Sequence, residues 1–192
     1  MSKLDFDPEK TAMLVMDCQK GIVNFVPSSS SIFKKVPGVL ETARRAGIRV
    51  IHVGLGFRNG YPEVSAHHPS FSGMRQTGLF VDGTESAEFH EGAMPKPGEI
   101  TIVKHRVSAF SGNDLEMILR SQEITTVILL GIATSGIVLS TLRQASDLDF
   151  KCFVIEDCCA DSDEEVHRVL TGKVFARQAT VVSADQFTKE CP

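Results

Sequence analysis

Short apolar runs recur along the chain, with polar or amphipathic stretches between them. Six of these runs have the length of strands, and their nearly continuous apolar character is typical of strands buried on both faces of a sheet. The predicted strands span residues 11–16, 48–53, 99–103, 127–130, 152–156 and 179–182.

Amphipathic segments separate these strands. Apolar residues at helical spacing predict helices at 39–45, 113–120 and 164–175, and another after residues 134–135 that keeps Val138 and Leu142 on one face. Strands that alternate with helices favour an α/β fold with a parallel sheet. We therefore predict a three-layer α/β/α sandwich with a six-stranded parallel sheet, formed by residues 1–192 as a single domain.

A glycine turn joins the fourth strand to the helix that follows it. Gly131 ends the apolar run, and the small residues at 133–136 predict a tight turn. Thr134 or Ser135 is a candidate cap for the helix. Free backbone N–H groups at such a turn favour a carboxylate or a developing oxyanion. Any βαβ crossover has a similar pattern, so this turn alone does not identify a site.

Two stretches lack a helical or strand pattern. Residues 27–31 are rich in serine and predict a flexible turn, whereas residues 54–98 contain eight glycines and four prolines. A long irregular segment inside a domain of this size is usually a functional lid or a subunit contact. We expect one of these two roles for residues 54–98.

The composition is that of an ordinary globular protein. Apolar residues make up 42% of the chain and charged residues 23%, and 20 basic against 24 acidic side chains give a net charge of −4. This balance disfavours a nucleic-acid or membrane partner. The sequence shows neither a signal peptide nor a transmembrane segment, so we predict a cytoplasmic protein whose five cysteines are reduced thiols.

Three features fall at the carboxyl ends of predicted strands. Asp17 follows the first strand, Lys104 follows the third, and the turn at 131–137 follows the fourth. Ligands of open α/β sheets bind at this edge, near the point where the strand order reverses. A carboxylate, an ammonium group and an anion-receptive turn at one edge predict a catalytic site.

The same positions carry a family resemblance. The sequence Met-Asp-Cys-Gln at 16–19, Lys104 with Ser-Ala-Phe at 108–110, and Gly-Ile-Ala-Thr at 131–134 resemble motifs of the isochorismatase-like hydrolases. That group includes nicotinamidases, N-carbamoylsarcosine amidases and isochorismatases, and the likeness runs from about residue 10 to 183. It implies a six-stranded parallel sheet, catalytic roles for Asp17 and Lys104, and a cis peptide bond between Ile132 and Ala133.

One position departs from the amidase pattern. The resemblance places the nucleophilic cysteine of the amidases at Ile137, whose side chain offers no nucleophile. Isochorismatases also lack this cysteine, because vinyl ether hydrolysis needs only a general acid and a positioned substrate. We therefore expect hydrolysis of isochorismate or a related compound, with Asp17 as the acid and Lys104 orienting the substrate. An amide hydrolase with a replaced nucleophile, and a catalytically silent binding protein, remain alternatives.

Further residues are candidates for contact with the substrate. Arg58 could instead form a surface or subunit contact, and Phe25 and Phe110 could belong to the core. The full set of predicted substrate-binding residues is Gln19, Phe25, Arg58, Phe110, Ala133, Thr134, Ser135, Gly136 and Ile137.

Histidines raise the question of a metal. His67 and His68 follow the second strand, but the acidic partner that metal-binding nicotinamidases carry at fixed spacing is missing there. We therefore predict no metal and no cofactor. The expected partners are a small-molecule substrate and further copies of the chain in a homo-oligomer.

Overall fold

Six parallel strands form one sheet in the computed structural model, which describes residues 3–192. Their bounds are β1 Thr11–Met16, β2 Arg49–Leu55, β3 Ile100–Lys104, β4 Thr126–Ile132, β5 Lys151–Ala160 and β6 Thr180–Val182. The strand order is β3-β2-β1-β4-β5-β6, and every neighbouring pair is parallel. The predicted α/β fold with a six-stranded parallel sheet is confirmed.

Seven α-helices surround the sheet in the described part of the chain. They are α1 Lys20–Phe25, α2 Val36–Arg45, α3 Pro69–Thr77, α4 Leu115–Ser121, α5 Leu139–Asp147, α6 Glu164–Val169 and α7 Ala184–Glu190. No helix among residues 3–192 is long and apolar enough to cross a membrane.

The central strands show why the apolar runs are continuous. Every residue of β1 and of β4 is buried, because helices and loops cover both faces of the middle of the sheet. The edge strand β3 instead alternates in exposure, and its Val103 is 45% exposed. Burial in this sheet therefore decreases from the centre to the β3 edge.

Two segments are more regular than their sequence predicts. Residues 54–98 contain α3, which begins at Pro69 with His68 as its N-cap, and the serine-rich stretch lies in a 3₁₀ helix, Pro27–Lys34. Because many glycines and prolines surround the nine residues of α3, their helical pattern was not recognised in the sequence. The prediction that these stretches lack helices was wrong.

The strand order reverses between β1 and β4. The chain runs from β1 outward to β3 on one side, then returns to the other side of β1 to form β4. Met16 is in register with Gly131, whose φ is +140°, and a Cβ at Gly131 would lie 2.0 Å from the Met16 carbonyl oxygen. Only glycine allows the two backbones to approach this closely. A crevice for a ligand is expected beside this point.

Candidate active site

Asp17 follows β1 directly, at the reversal of strand order. Its backbone N–H donates to the carbonyl of Val53 at 2.8 Å, which extends the pairing with β2 by one residue. Its φ of +51° then turns the chain out of the sheet, in a conformation that Asp tolerates better than most residues. The carboxyl side chain is only 7% exposed.

Lys104 is the last residue of β3 and reaches Asp17 across the end of β2. Its Nζ lies 2.9 Å from Oδ2 of Asp17 and donates a second hydrogen bond of 3.0 Å to the carbonyl of Arg106. The lysine side chain is 2% exposed. One strand separates β1 from β3, so only a long side chain can bridge the distance. The structure thus joins two residues that are 87 positions apart in the sequence.

Burial dominates the electrostatics of this pair. It raises the pKa of Asp17 above the ordinary value of 3.8, although Lys104 acts in the opposite direction. Oδ1 of Asp17 is buried and has no hydrogen-bond partner among the described residues. A carboxyl group with one unsatisfied oxygen and a raised pKa is suited to carry a proton.

The turn after β4 forms the opposite wall. The peptide bond between Ile132 and Ala133 is cis, as the resemblance implied. A wide π-type turn, Thr134–Val138, leads into α5 and brings Ala133, Gly136 and Ile137 to the cavity that contains Asp17 and Lys104.

The predicted cap of this helix was wrong. The residue at the cap position is Ala133, and no side chain of the turn caps the helix. Instead the Ser135 N–H donates to Oδ2 of Asp161 at 2.7 Å, and the Thr134 hydroxyl shares a 2.8 Å hydrogen bond with Nδ1 of His167. Neither Thr134 nor Ser135 lines the cavity. Two side chains that are distant in the sequence, Asp161 and His167, therefore hydrogen-bond to the turn.

The cavity, called the site cavity below, has a volume of about 450 Å³. Asp17 and Lys104 are its only charged lining residues in the part of the chain that the structure describes. The rest of the lining is mainly apolar and includes Ile22, Phe25, Val26, Leu55, Phe71, Met74, Val107, Ile132 and Ile137. A single ion pair is therefore enclosed by apolar walls.

One wall was missed by the sequence reasoning. Phe71 and Met74 of α3 line the site cavity together with Phe25 of α1, which is 55% exposed. The sequence did contain an indication of this helix. Phe71 and Met74 are three residues apart, and they follow Pro69, a residue type that is common at the first position of a helix. Part of the irregular segment is thus a wall of the site.

Besides Thr134 and Ser135, three more predicted substrate contacts lie outside the site cavity. Gln19 is buried outside the site cavity, where its amide exchanges two 2.8 Å hydrogen bonds with the backbone of Leu55. Arg58 does not line it either and pairs with Glu63 at 2.5 Å. Phe110 is buried and stacks on Phe150 at a centroid distance of 6.1 Å. In this structure all three stabilise the protein around the site without facing it.

No cysteine lines the site cavity. Cys18, Cys152, Cys158 and Cys159 are buried, and burial raises the pKa of each thiol, to about 11 for Cys152 and about 12 for Cys159. Within residues 3–192, no group of three or more His, Cys, Asp or Glu side chains is arranged to hold a metal ion. The polar side chains that line the site cavity are those of Asp17, Lys104, Ser70 and Thr77, and Asp17 and Lys104 are the charged pair.

Comparison with known proteins agrees with this architecture. The family model for the isochorismatase domain matches residues 11–186. An uncharacterized isochorismatase family protein of Bacillus subtilis, YwoC, is 28% identical, covering 99% of this chain and 98% of its own. The ureidoacrylate amidohydrolase RutB of Caulobacter vibrioides is 31% identical over 80% of this chain and 78% of its own.

Solved structures show the same fold. A cysteine hydrolase from Pseudomonas syringae superimposes with a TM-score of 0.90 at 20% identity, covering 99% of this chain and 96% of its own. N-carbamoylsarcosine amidase from Thermoplasma acidophilum has a TM-score of 0.76 at 27% identity and covers 92% of this chain and 97% of its own.

Proposed function

This chain belongs to the isochorismatase family of hydrolases, and we propose that it hydrolyses a small molecule without a covalent cysteine intermediate. Asp17 is the general acid, and Lys104 orients the substrate. The reaction we favour is hydrolysis of a vinyl ether, with isochorismate or a related compound as substrate.

The buried Asp17–Lys104 pair at the wall of an apolar cavity is the observation that carries this proposal. Ile137 occupies the position at which the resemblance places a nucleophile, and it lines the cavity with an aliphatic side chain. No thiol is among the lining residues, although the hydroxyl groups of Ser70 and Thr77 are, and the route we favour uses an acid and water.

The chemistry follows from the state of Asp17. The protonated carboxyl delivers its proton to the terminal carbon of the enol ether, which creates an oxocarbenium ion. Water adds to that ion, and the resulting hemiketal breaks down to a carbonyl compound and an alcohol while one proton returns to Asp17. When Asp17 is neutral, Lys104 has no anionic partner among residues 3–192 and can pair with a substrate carboxylate.

Among residues 3–192, the cavity has a single cationic side chain, Lys104, and this limits how many negative charges a bound substrate can bury. One carboxylate can pair with Lys104, but the site cavity offers no second cation. Burying an unpaired carboxylate against apolar walls is strongly unfavourable. Any second charged group of the substrate must therefore remain at the open mouth, beside the half-exposed Phe25.

Amide hydrolysis is the second candidate. Its support is that two similar proteins are a ureidoacrylate amidohydrolase and an N-carbamoylsarcosine amidase. Without a thiol at residue 137, either water or a serine hydroxyl would have to attack the amide, with Asp17 as the base. A raised pKa suits an acid better than a base that must be ionised at neutral pH.

Turnover in deuterium oxide separates the two reactions. The protein is incubated with isochorismate, nicotinamide and an N-carbamoyl amine, and the products are identified by mass spectrometry. Vinyl ether hydrolysis places one solvent-derived deuterium on carbon, whereas amide hydrolysis leaves every carbon-bound hydrogen unchanged. Release of ammonia from an amide without turnover of isochorismate would contradict the favoured reaction. Binding without any turnover would instead indicate a catalytically silent protein.

A further inference from the structure

The turn that forms one wall of the site has a few backbone hydrogen bonds of its own, including one from the Gly136 N–H to the Ala133 carbonyl at 3.1 Å. It lacks a side-chain cap, and its first wide bond, from the Val138 N–H to the Ala133 carbonyl, is 3.3 Å long. Ala133, Gly136 and Ile137 nevertheless have to stay in place beside the Asp17–Lys104 pair. Side chains from outside the turn add to these bonds.

Two such groups come from one short segment after β5. Asp161 accepts the Ser135 N–H at 2.7 Å, and Nδ1 of His167 shares the 2.8 Å hydrogen bond with the hydroxyl of Thr134. Thr134 is fully buried, whereas His167 is half-buried. This hydroxyl therefore cannot exchange its partner for water without moving the turn.

The segment itself is rigidly placed. Asp163 caps α6 by accepting the N–H groups of Glu165 and Val166 at 2.8 and 3.1 Å. This cap fixes the first turn of the helix that carries His167, one turn further on. The imidazole is thus aimed at Thr134 by a well-capped helix.

Neither Asp161 nor His167 reaches the substrate. Both line a second cavity of about 590 Å³ on the other side of the turn, together with Lys35 and Asp157, and neither lines the site cavity. Their effect on the reaction must be exerted through the turn between the two cavities.

We propose that His167 is a positioning residue, which fixes the site wall at 133–137 through its hydrogen bond to Thr134, with Asp161 as a second anchor at Ser135. This inference rests on the proposed function, because the wall matters only if a substrate reacts beside it. A displacement of a catalytic wall by about 1 Å can reduce turnover about a hundredfold.

A double-mutant cycle tests this proposal. Thr134→Val removes the hydroxyl with little change of shape, and His167→Ala removes its partner. Each change should lower kcat about ten- to hundredfold with a nearly unchanged KM, because the wall is mispositioned while the cavity stays apolar. The double variant should be no worse than either single one, since both remove the same contact.

Conservative variants separate positioning from general loss of stability. Thr134→Ser keeps the hydroxyl, and His167→Asn places an amide group near the position of Nδ1. Both should recover most of kcat. Thr42→Val is the matched control. It removes a buried hydroxyl that donates to the Gly38 carbonyl and accepts from the Arg45 side chain, both within α2. It should leave kcat unchanged at a comparable loss of thermal stability.

Amide hydrogen exchange gives a readout that needs no substrate. In Thr134→Val and His167→Ala, the N–H groups of Ser135 and Gly136 should exchange about fivefold faster than in wild type, with no change at Ala145 further along α5. If wild-type protein turns over none of the compounds, the proposed function fails and this measurement alone decides the positioning role. Unchanged exchange in the turn, or additive losses of kcat in the double variant, would overturn it.

Discussion

Two carboxyl groups, the buried Asp17 and the half-buried Glu99, are surrounded in opposite ways. Asp17, at the site, is 7% exposed, has one cationic partner at 2.9 Å, and leaves one oxygen without a hydrogen bond in the described part of the protein. Glu99, just before β3, is 14% exposed and has no such deficit. It accepts two hydrogen bonds from Arg44, at 2.7 and 2.9 Å, and others from His52 and the Lys96 N–H.

Their pKa values differ accordingly. Burial raises the pKa of both groups, but at Glu99 the hydrogen bonds from Arg44, Lys96 and His52 more than offset it and lower the pKa to about 2. At Asp17 a single lysine does not offset burial, and the pKa is raised. A carboxylate that accepts several hydrogen bonds stays ionised and stabilises the fold. A buried carboxyl group with few hydrogen-bond donors binds a proton more readily. Asp17 thus differs from Glu99 both in its deeper burial and in its smaller number of donors.

The largest effect should follow from Asp17→Asn. The amide keeps the shape of the side chain but cannot deliver a proton, so kcat should fall by about 10²–10⁴-fold while KM changes little. Steady-state kinetics on the substrate identified by the screen would measure this. Lys104→Ala is the variant to compare with it. Because Lys104 is proposed to hold the substrate, this change should raise KM at least as much as it lowers kcat. An Asp17→Asn protein with nearly full turnover would require a different acid.

Glu99→Gln should affect stability and leave kcat unchanged. The depression of the Glu99 pKa from 4.5 to about 2 stabilises the fold at neutral pH by about 1–3 kcal/mol, because solvent screens part of the interaction at this half-buried group. Because the folded-state pKa is the lower one, this contribution is present above pH 4.5 and is lost as the pH falls towards 2. Urea unfolding of wild type and variant should therefore show a large difference at pH 7 that narrows below pH 4.5. A difference that stays constant with pH would contradict this assignment.

The smallest effect concerns thiol chemistry. The native thiols at 18, 152, 158 and 159 are buried with raised pKa values, so iodoacetamide should leave most turnover of the folded wild type intact. Ile137→Cys would place a thiol in the site cavity near the start of a helix, where thiolate forms more readily. Mass spectrometry after brief alkylation should show modification at residue 137 before the buried thiols. Loss of wild-type activity in step with modification of Cys158 would indicate a cysteine mechanism instead.

Much of this protein could be predicted from its sequence because the information is local. Continuous apolar runs gave the six strands to within a few residues, since both faces of a central parallel strand need apolar side chains. Asp17 and Lys104 could be placed at one sheet edge because each follows a strand, and parallel strands end on the same side. The cis peptide bond could be predicted because the motif at 131–134 resembles that of the family.

What only the tertiary structure decided depends on contacts between distant residues. The sequence could not show that α3 supplies a wall of the site, nor that Gln19 and Phe110 face away from the cavity, because the direction of a side chain depends on what packs against it. It also predicted a local cap where Asp161 and His167 hold the turn from 26 and 33 residues away. The contrast between Asp17 and Glu99 is of the same kind, since the number of donors around a buried carboxyl is set by the folded chain.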